Sequence, residues 1–109
     1  MLNAANAGKI SFEKAVEVCS SNPARIFGCT QKGSLAVGKD ADIVIYDPEK
    51  DFQVSVSSMH SDYDHTIWEG CRFHGYPVQT YLRGNLVYDN GQFVGKPGMG
   101  RFVKREPRT

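Results

Sequence analysis

The stretch Asn22-Pro-Ala-Arg-Ile-Phe-Gly28, continuing through Lys32-Gly33-Ser-Leu35 into Val37-Gly38-Lys-Asp40-Ala-Asp42-Ile-Val-Ile-Tyr-Asp47, decides the fold. Asn22 is a good helix cap, and Pro23 suits the first helical position, where its missing N–H costs nothing. Ile26 and Phe27 are expected to point inward, and Gly28 fits the left-handed position just past a helix end. Tight turns follow. Ile43-Val-Ile-Tyr46 is then apolar on both faces, as in a strand buried on both sides. Such a strand needs cover on each face, and a chain of 109 residues has little to supply.

Working outward toward the N-terminus, residues 1–9 read as a loop. Ser11 caps a helix over roughly 11–20, with Glu13 in its first turn. Phe12, Ala15, Val16 and Cys19 follow the i, i+3, i+4, i+7 spacing of one apolar face. Toward the C-terminus, Pro48 and its charged neighbours are expected to break the strand. Phe52, Val54 and Val56 alternate with Gln53, Ser55 and Ser57, the pattern of a strand with one wet face. Val78, Thr80 and Leu82 alternate likewise. Gly84-Asn85 is a hairpin signal returning through Leu86-Val87-Tyr88, and Asn90-Gly91 is a second, followed by Phe93-Val94. Between the strand groups, residues 58–76 are rich in aromatic, histidine and acidic side chains. Asp62 is expected to cap a turn that buries Tyr63, Ile67 and Trp68, so that the segment packs as a compact lid over a sheet or against another domain. The fold class is α+β: two short N-terminal helices, then four to five antiparallel or mixed strands.

Composition narrows the function. The chain is 40% hydrophobic and 23% charged, a globular balance, and no apolar run reaches membrane-spanning length. The beginning lacks the basic flank and apolar segment of a secretory signal, so a cytoplasmic setting is expected. A net charge of +1 does not suit a general nucleic-acid binder. The charge is uneven, however. Residues 95–109 carry Lys96, Arg101, Lys104, Arg105 and Arg108 against Glu106, a local +4 that leaves −3 for the rest. Such a tail either docks on an acidic surface or is a solvated terminus.

Three sets of residues could carry chemistry. Cys19, Cys29 and Cys71 are odd in number and lack CxxC spacing, which fits small packed thiols in a reducing compartment. His60, His65, Cys71 and His74, with Asp62 and Asp64 among them, are metal-ligand types, but their spacing matches no recognised zinc pattern; histidines at a packed interface are the plainer reading. Asp40, Asp42 and Asp47 flank the doubly apolar strand. They read as strand-end turn formers paired with Lys39 or Arg25 rather than as an acid–base pair. No nucleophile elbow and no phosphate loop is present. The residues taken alone describe no self-sufficient active site.

Asn22-Pro-Ala-Arg-Ile-Phe-Gly28, with Lys32-Gly33, Gly38 and Asp40-Ala-Asp42-Ile-Val, resembles the C-terminal part of the metal-dependent amidohydrolase superfamily. There a (β/α)8 barrel is joined to a small β-sandwich built from both chain ends. His60-Ser-Asp62-Tyr-Asp64, Trp68-Glu-Gly70, His74-Gly-Tyr-Pro77, Arg83-Gly-Asn-Leu-Val-Tyr88 and Gly98-Met-Gly100-Arg-Phe-Val-Lys-Arg105 are similar to the dihydropyrimidinase and hydantoinase branch. The resemblance implies a parent that opens a small cyclic amide, a dihydropyrimidine or a hydantoin, with two zinc ions and a carbamylated lysine in the barrel. No residue here matches a metal ligand or the catalytic aspartate, so the resemblance assigns this chain no catalytic, cofactor-binding or metal residue. It implies instead a scaffold, inactive alone. Residues 1–30 would be the last helices adjoining the barrel, 31–94 the sandwich portion with its connecting segment 58–76, and 95–109 a basic tail for docking in a homo-oligomer. The expected partners are the rest of the parent chain and further copies, with neither nucleic acid nor membrane. A non-catalytic assembly relative, or a free-standing β-rich binding module, is the alternative.

Overall fold

The computed structural model describes residues 1–106. Helices α1 (Leu2–Asn6), α2 (Phe12–Val16) and α3 (Asn22–Ile26) precede a sheet of β1 (Ile43–Gln53), β2 (Arg72–Leu82), β3 (Asn85–Asp89) and β4 (Gln92–Phe93). The strands are antiparallel and lie in the order β1-β2-β3-β4. This is the α+β architecture the sequence pattern implies.

Ser11 caps α2 through its hydroxyl, which accepts the Lys14 N–H at 3.1 Å. Beyond Val16 the chain widens into a π turn over Glu17–Ser21 and runs on into α3. The expected two helices are thus one helical run with a bulge, and Asn22 lies inside it rather than capping its second half. Pro23 supplies the reason. Its ring would strike the carbonyl four residues back in a regular α-helix, and a π turn just upstream relieves that crowding. Asn22 instead joins Glu17 and Arg25 through its side chain. At the far end Ile26 and Phe27, expected to point inward, are exposed, because no described part of this chain packs over them, while Gly28 is as expected. Gly28 has φ +67, and the Gly28 and Cys29 N–H groups donate back to Arg25 and Ala24 carbonyls at 3.4 and 2.8 Å.

Residues 1–9, read as a loop, contain α1. Its Ala5 is one of three buried apolar side chains among the described residues, with Ala15 and Val54.

The sheet departs from the sequence reading at Pro48. The strand does not stop there. β1 continues to Gln53 with its register shifted, Asp47 facing Tyr76 and Asp51 facing His74. Pro48, Glu49 and Lys50 therefore stand opposite Gly75 alone, a bulge that spares proline a ladder hydrogen bond it cannot make. Val56, expected in a strand, begins a 3-10 turn over Val56–Ser58. β2 begins at Arg72, so the last part of segment 58–76 is strand.

The remaining loop is pinched at its base. Val54 N–H donates to Cys71 O and Gly70 N–H to Val54 O, both at 2.9 Å, and Glu69 Oε2 accepts the Val56 N–H at 2.8 Å. Its apolar side chains are not packed beneath it: Tyr63, Ile67 and Trp68 are all exposed. The first hairpin turn is Arg83-Gly84, one residue earlier than expected, and the second is Asn90-Gly91 as expected. All four residues have positive φ, as the tight turns that match strand twist require.

Candidate functional site

The acidic pair before β1 is a structural clasp. Lys32 Nζ lies 2.8 Å from Asp40 and also contacts Asp42. Asp42 Oδ1 accepts the Arg83 N–H at 2.9 Å, and Gly84 N–H donates to Ala41 O at 2.9 Å. The turn segment after α3 is thereby tied to the β2–β3 turn. Hydrogen bonds that Lys32 donates to Asp40 and Asp42 raise the Lys32 pKa, and Lys32 holds the Asp42 carboxyl below its usual range. A carboxylate held ionised by a fixed cation is a poor proton acceptor. The expected partners differ: Lys39 reaches the Thr30 carbonyl and Arg25 reaches Asn22. Asp47 is a turn former, as read, and accepts the Glu49 N–H at 2.9 Å.

The metal-ligand types are not brought together. His65 Nδ1 lies 2.9 Å from the neighbouring Asp64, His74 Nδ1 lies 2.7 Å from Asp51, and His60 meets the Tyr88 ring edge-on with centroids 6.2 Å apart. Among the described residues, no three of His, Cys, Asp or Glu gather in a group able to hold a metal ion. Among the described residues, no set fits the zinc pair that the family resemblance implies. Cys19 is exposed, and Cys29 and Cys71 are half-buried free thiols.

What the structure does assemble is an apolar surface. A groove of about 1030 Å³ runs between the N-terminal helices and the sheet, lined by Phe12, Val16, Val44, Phe52, Trp68 and Phe73 among others. Phe12 and Tyr46 rings meet there at 5.8 Å. Val16 is 52% exposed, Val44 54% and Trp68 54%. The Tyr46 hydroxyl is buried with no hydrogen-bond partner among the described residues, and burial pushes its pKa up. The whole chain exposes 8316 Å². A compact chain of 12.1 kDa exposes about 6,000 Å², so roughly 2,300 Å² is left uncovered. The radius of gyration, 15.5 Å, exceeds the roughly 13 Å of a compact domain this long.

The C-terminal segment folds back onto the end of α3. Glu106 N–H donates to Gly28 O at 2.9 Å, and the Thr30 hydroxyl donates to Glu106 Oε1 at 3.3 Å. None of the ion pairs among the described residues uses Arg101, Lys104 or Arg105. The tail is thus held by the backbone and carboxylate of Glu106 and by the Met99 carbonyl, which accepts from the Arg83 guanidinium; Arg108 lies outside the described residues. Phe102 is 94% exposed. No helix among the described residues is long and apolar enough to cross a membrane.

Sequence reasoning missed Asn3 and Asn6. Asn6 Nδ2 donates to Pro48 O and to His74 O, both at 2.9 Å, while Asn3 Oδ1 accepts the His74 N–H at 3.2 Å. Their i, i+3 spacing was the available signal, hidden by the lack of any apolar period around it.

Comparison with known proteins places this geometry. The Amidohydrolase family model matches residues 4–88. The D-hydantoinase of Ralstonia pickettii is 43% identical over 101 residues, covering 92% of this chain and 22% of that relative. The D-phenylhydantoinase of Escherichia coli O1:K1 / APEC is 45% identical over the same shares. Among solved structures, the L-hydantoinase (dihydropyrimidinase) from Arthrobacter aurescens superposes with a TM-score of 0.92 at 40% identity, over 96% of this chain and 24% of that one. The chain spans about a fifth of the length of the curated relatives it matches.

Proposed function

We propose that this chain, which belongs to the amidohydrolase family, is the supporting part of a larger hydrolase that opens cyclic amides of the hydantoin or dihydropyrimidine class. The observation that carries this reading is the uncovered apolar groove between the helices and the sheet. Groups that large and apolar are left open only where another body seats on them. Relatives bearing the names D-hydantoinase and D-phenylhydantoinase extend well beyond this chain and have the length to supply that body.

In this reading residues 1–30 adjoin a catalytic barrel, residues 31–94 form most of a supporting sandwich, and residues 95–109 are a tail used between copies in a homo-oligomer. The exposed Phe102, flanked by Arg101 and Lys104, suits such a contact. The zinc ions and carbamylated lysine expected in the parent belong to the barrel. The histidines of this chain are dispersed and individually engaged, and no step of the reaction is routed through them. What the chain contributes is rigidity: a ladder, two tight hairpin turns and a lysine clasp beneath the elements that carry the chemistry.

The test is a ring-opening assay on hydantoin and dihydrouracil with zinc supplied. The longer protein containing this chain is expected to turn over, and the isolated 109 residues are expected to show none. Turnover that copurifies with the isolated chain would overturn the supporting role.

A further inference from the structure

We propose that Asn3 and Asn6 form a clasp that splices α1 into the β1–β2 ladder at its bulge, and that the Asp51–His74 pair tightens the clasp when His74 is protonated. The bulge is where the ladder fails. Three residues of β1 face Gly75 alone, and Pro48 has no N–H to offer. Where the ladder is interrupted, the N–H and C=O of His74 turn to side chains instead of a strand. Two side chains from α1 answer the need. Asn3 Oδ1 takes the His74 N–H, and Asn6 Nδ2 reaches both the His74 and Pro48 carbonyls. One asparagine amide therefore bridges the two strands across the gap, as a third strand would. The two asparagines are 68 or more residues from His74 in the chain, so the contact is tertiary and joins the first helix to the sheet.

Beyond the bulge, Asp51 and His74 are direct cross-strand partners, with Oδ1 and Nδ1 2.7 Å apart. The Asp51 hydrogen bond raises the His74 pKa first of all, and the charges of Asp51, Glu49 and Asp47 add to it. All three acids lie on β1, and α1 contributes no titratable side chain. The sign follows. A histidine whose folded pKa is raised stabilises fully below its unfolded value and loses that contribution as pH rises through the folded value. The clasp is therefore tighter in mild acid and looser in base. Both side chains are well exposed, so the effect on the equilibrium is severalfold at most.

Amide hydrogen exchange on the longer protein tests this, read as the protection of the His74 amide relative to the Gly84 amide at the other end of the ladder. The ratio is expected to fall severalfold between about pH 6 and about pH 9 after correction for intrinsic exchange. Asp51→Asn should flatten that pH dependence. Asn3→Ala should lower the ratio about tenfold at every pH, the loss of one hydrogen bond. A wild-type ratio that does not change with pH would overturn the histidine lock, and this arm needs no variant. Unchanged His74 protection in Asn3→Ala, with Gly84 still protected, would overturn the clasp. Should a variant unfold, Gly84 protection is lost as well, and the wild-type pH arm still decides.

Discussion

The two ends of the β1–β2 ladder are built on opposite terms. The Ile43–Leu82 end is tied by polar contacts from within the chain: Lys32 clasps Asp40 and Asp42, Asp42 takes the Arg83 N–H, and Ala41 takes that of Gly84. Around Tyr46, Phe52 and Phe73 the side chains line an open apolar groove that this chain leaves uncovered. The difference follows from the range of the forces. A hydrogen bond or ion pair is satisfied by one well-placed group a few residues away. An apolar face is satisfied only by area, and 109 residues do not hold enough to cover both sides of the sheet.

Matched glycines, one against the groove and one in the open β3–β4 turn, give the largest expected contrast. Gly75 and Gly91 have nearly equal φ, +92 and +95, but a Cβ at Gly75 would stand 1.8 Å from the Tyr46 hydroxyl whereas at Gly91 nothing lies within 4 Å. Gly91→Ala should cost about 1 kcal/mol in chemical denaturation, from backbone strain alone. Gly75→Ala should cost about 3 kcal/mol or more, because a ring must also move. Equal costs would mean that the groove side is looser than its geometry.

The polar end is probed by Lys32→Met, with an expected loss of about 1 kcal/mol after allowing for the partial exposure of all three side chains. The pH dependence has a definite sign. Asp42 is depressed below 3.8, so its contribution is present above that value and disappears as pH falls through the lower folded one. Lys32 is raised above 10.5, so its contribution holds below that value and disappears as pH rises past the folded one. The gap between wild type and Lys32→Met should be level across the neutral range and close at both extremes. A gap that varies through neutrality would assign the clasp to other groups.

Tyr46→Phe is expected to have the smallest effect. Its hydroxyl is buried without a partner, so removing it from the isolated chain should change stability by no more than about 0.5 kcal/mol, in the stabilising direction. A clear loss on thermal unfolding would show that the hydroxyl has a partner after all.

The legible parts of the fold are those set by neighbours in sequence. Ser11, Gly28 and Asn90-Gly91 act through the backbone within a few residues, and each stands as its residue type dictates. Pro48 misled because its rule is local and its exception is not. The strand survives it by bulging, and the bulge is supported by asparagines from the first helix. Asn22 misled for a related reason: a π turn absorbs the proline that should have started a new helix. At the candidate site, Asp40 and Asp42 were readable as structural, but the choice of Lys32 over Lys39 depends on a turn path that no spacing rule gives. The aromatic loop is expected to pack as a lid over a sheet or against another domain. Tyr63 and Ile67 are instead 74% and 85% exposed, because burial is a property of the partner as much as of the residue.

Sedimentation equilibrium of the isolated chain over a range of concentrations and salt tests the central claim most directly. An apolar face awaiting cover associates by a force that salt does not screen. A mass above 12.1 kDa that rises with concentration and persists in high salt is expected. A monomer of 12.1 kDa at every concentration and salt would contradict it.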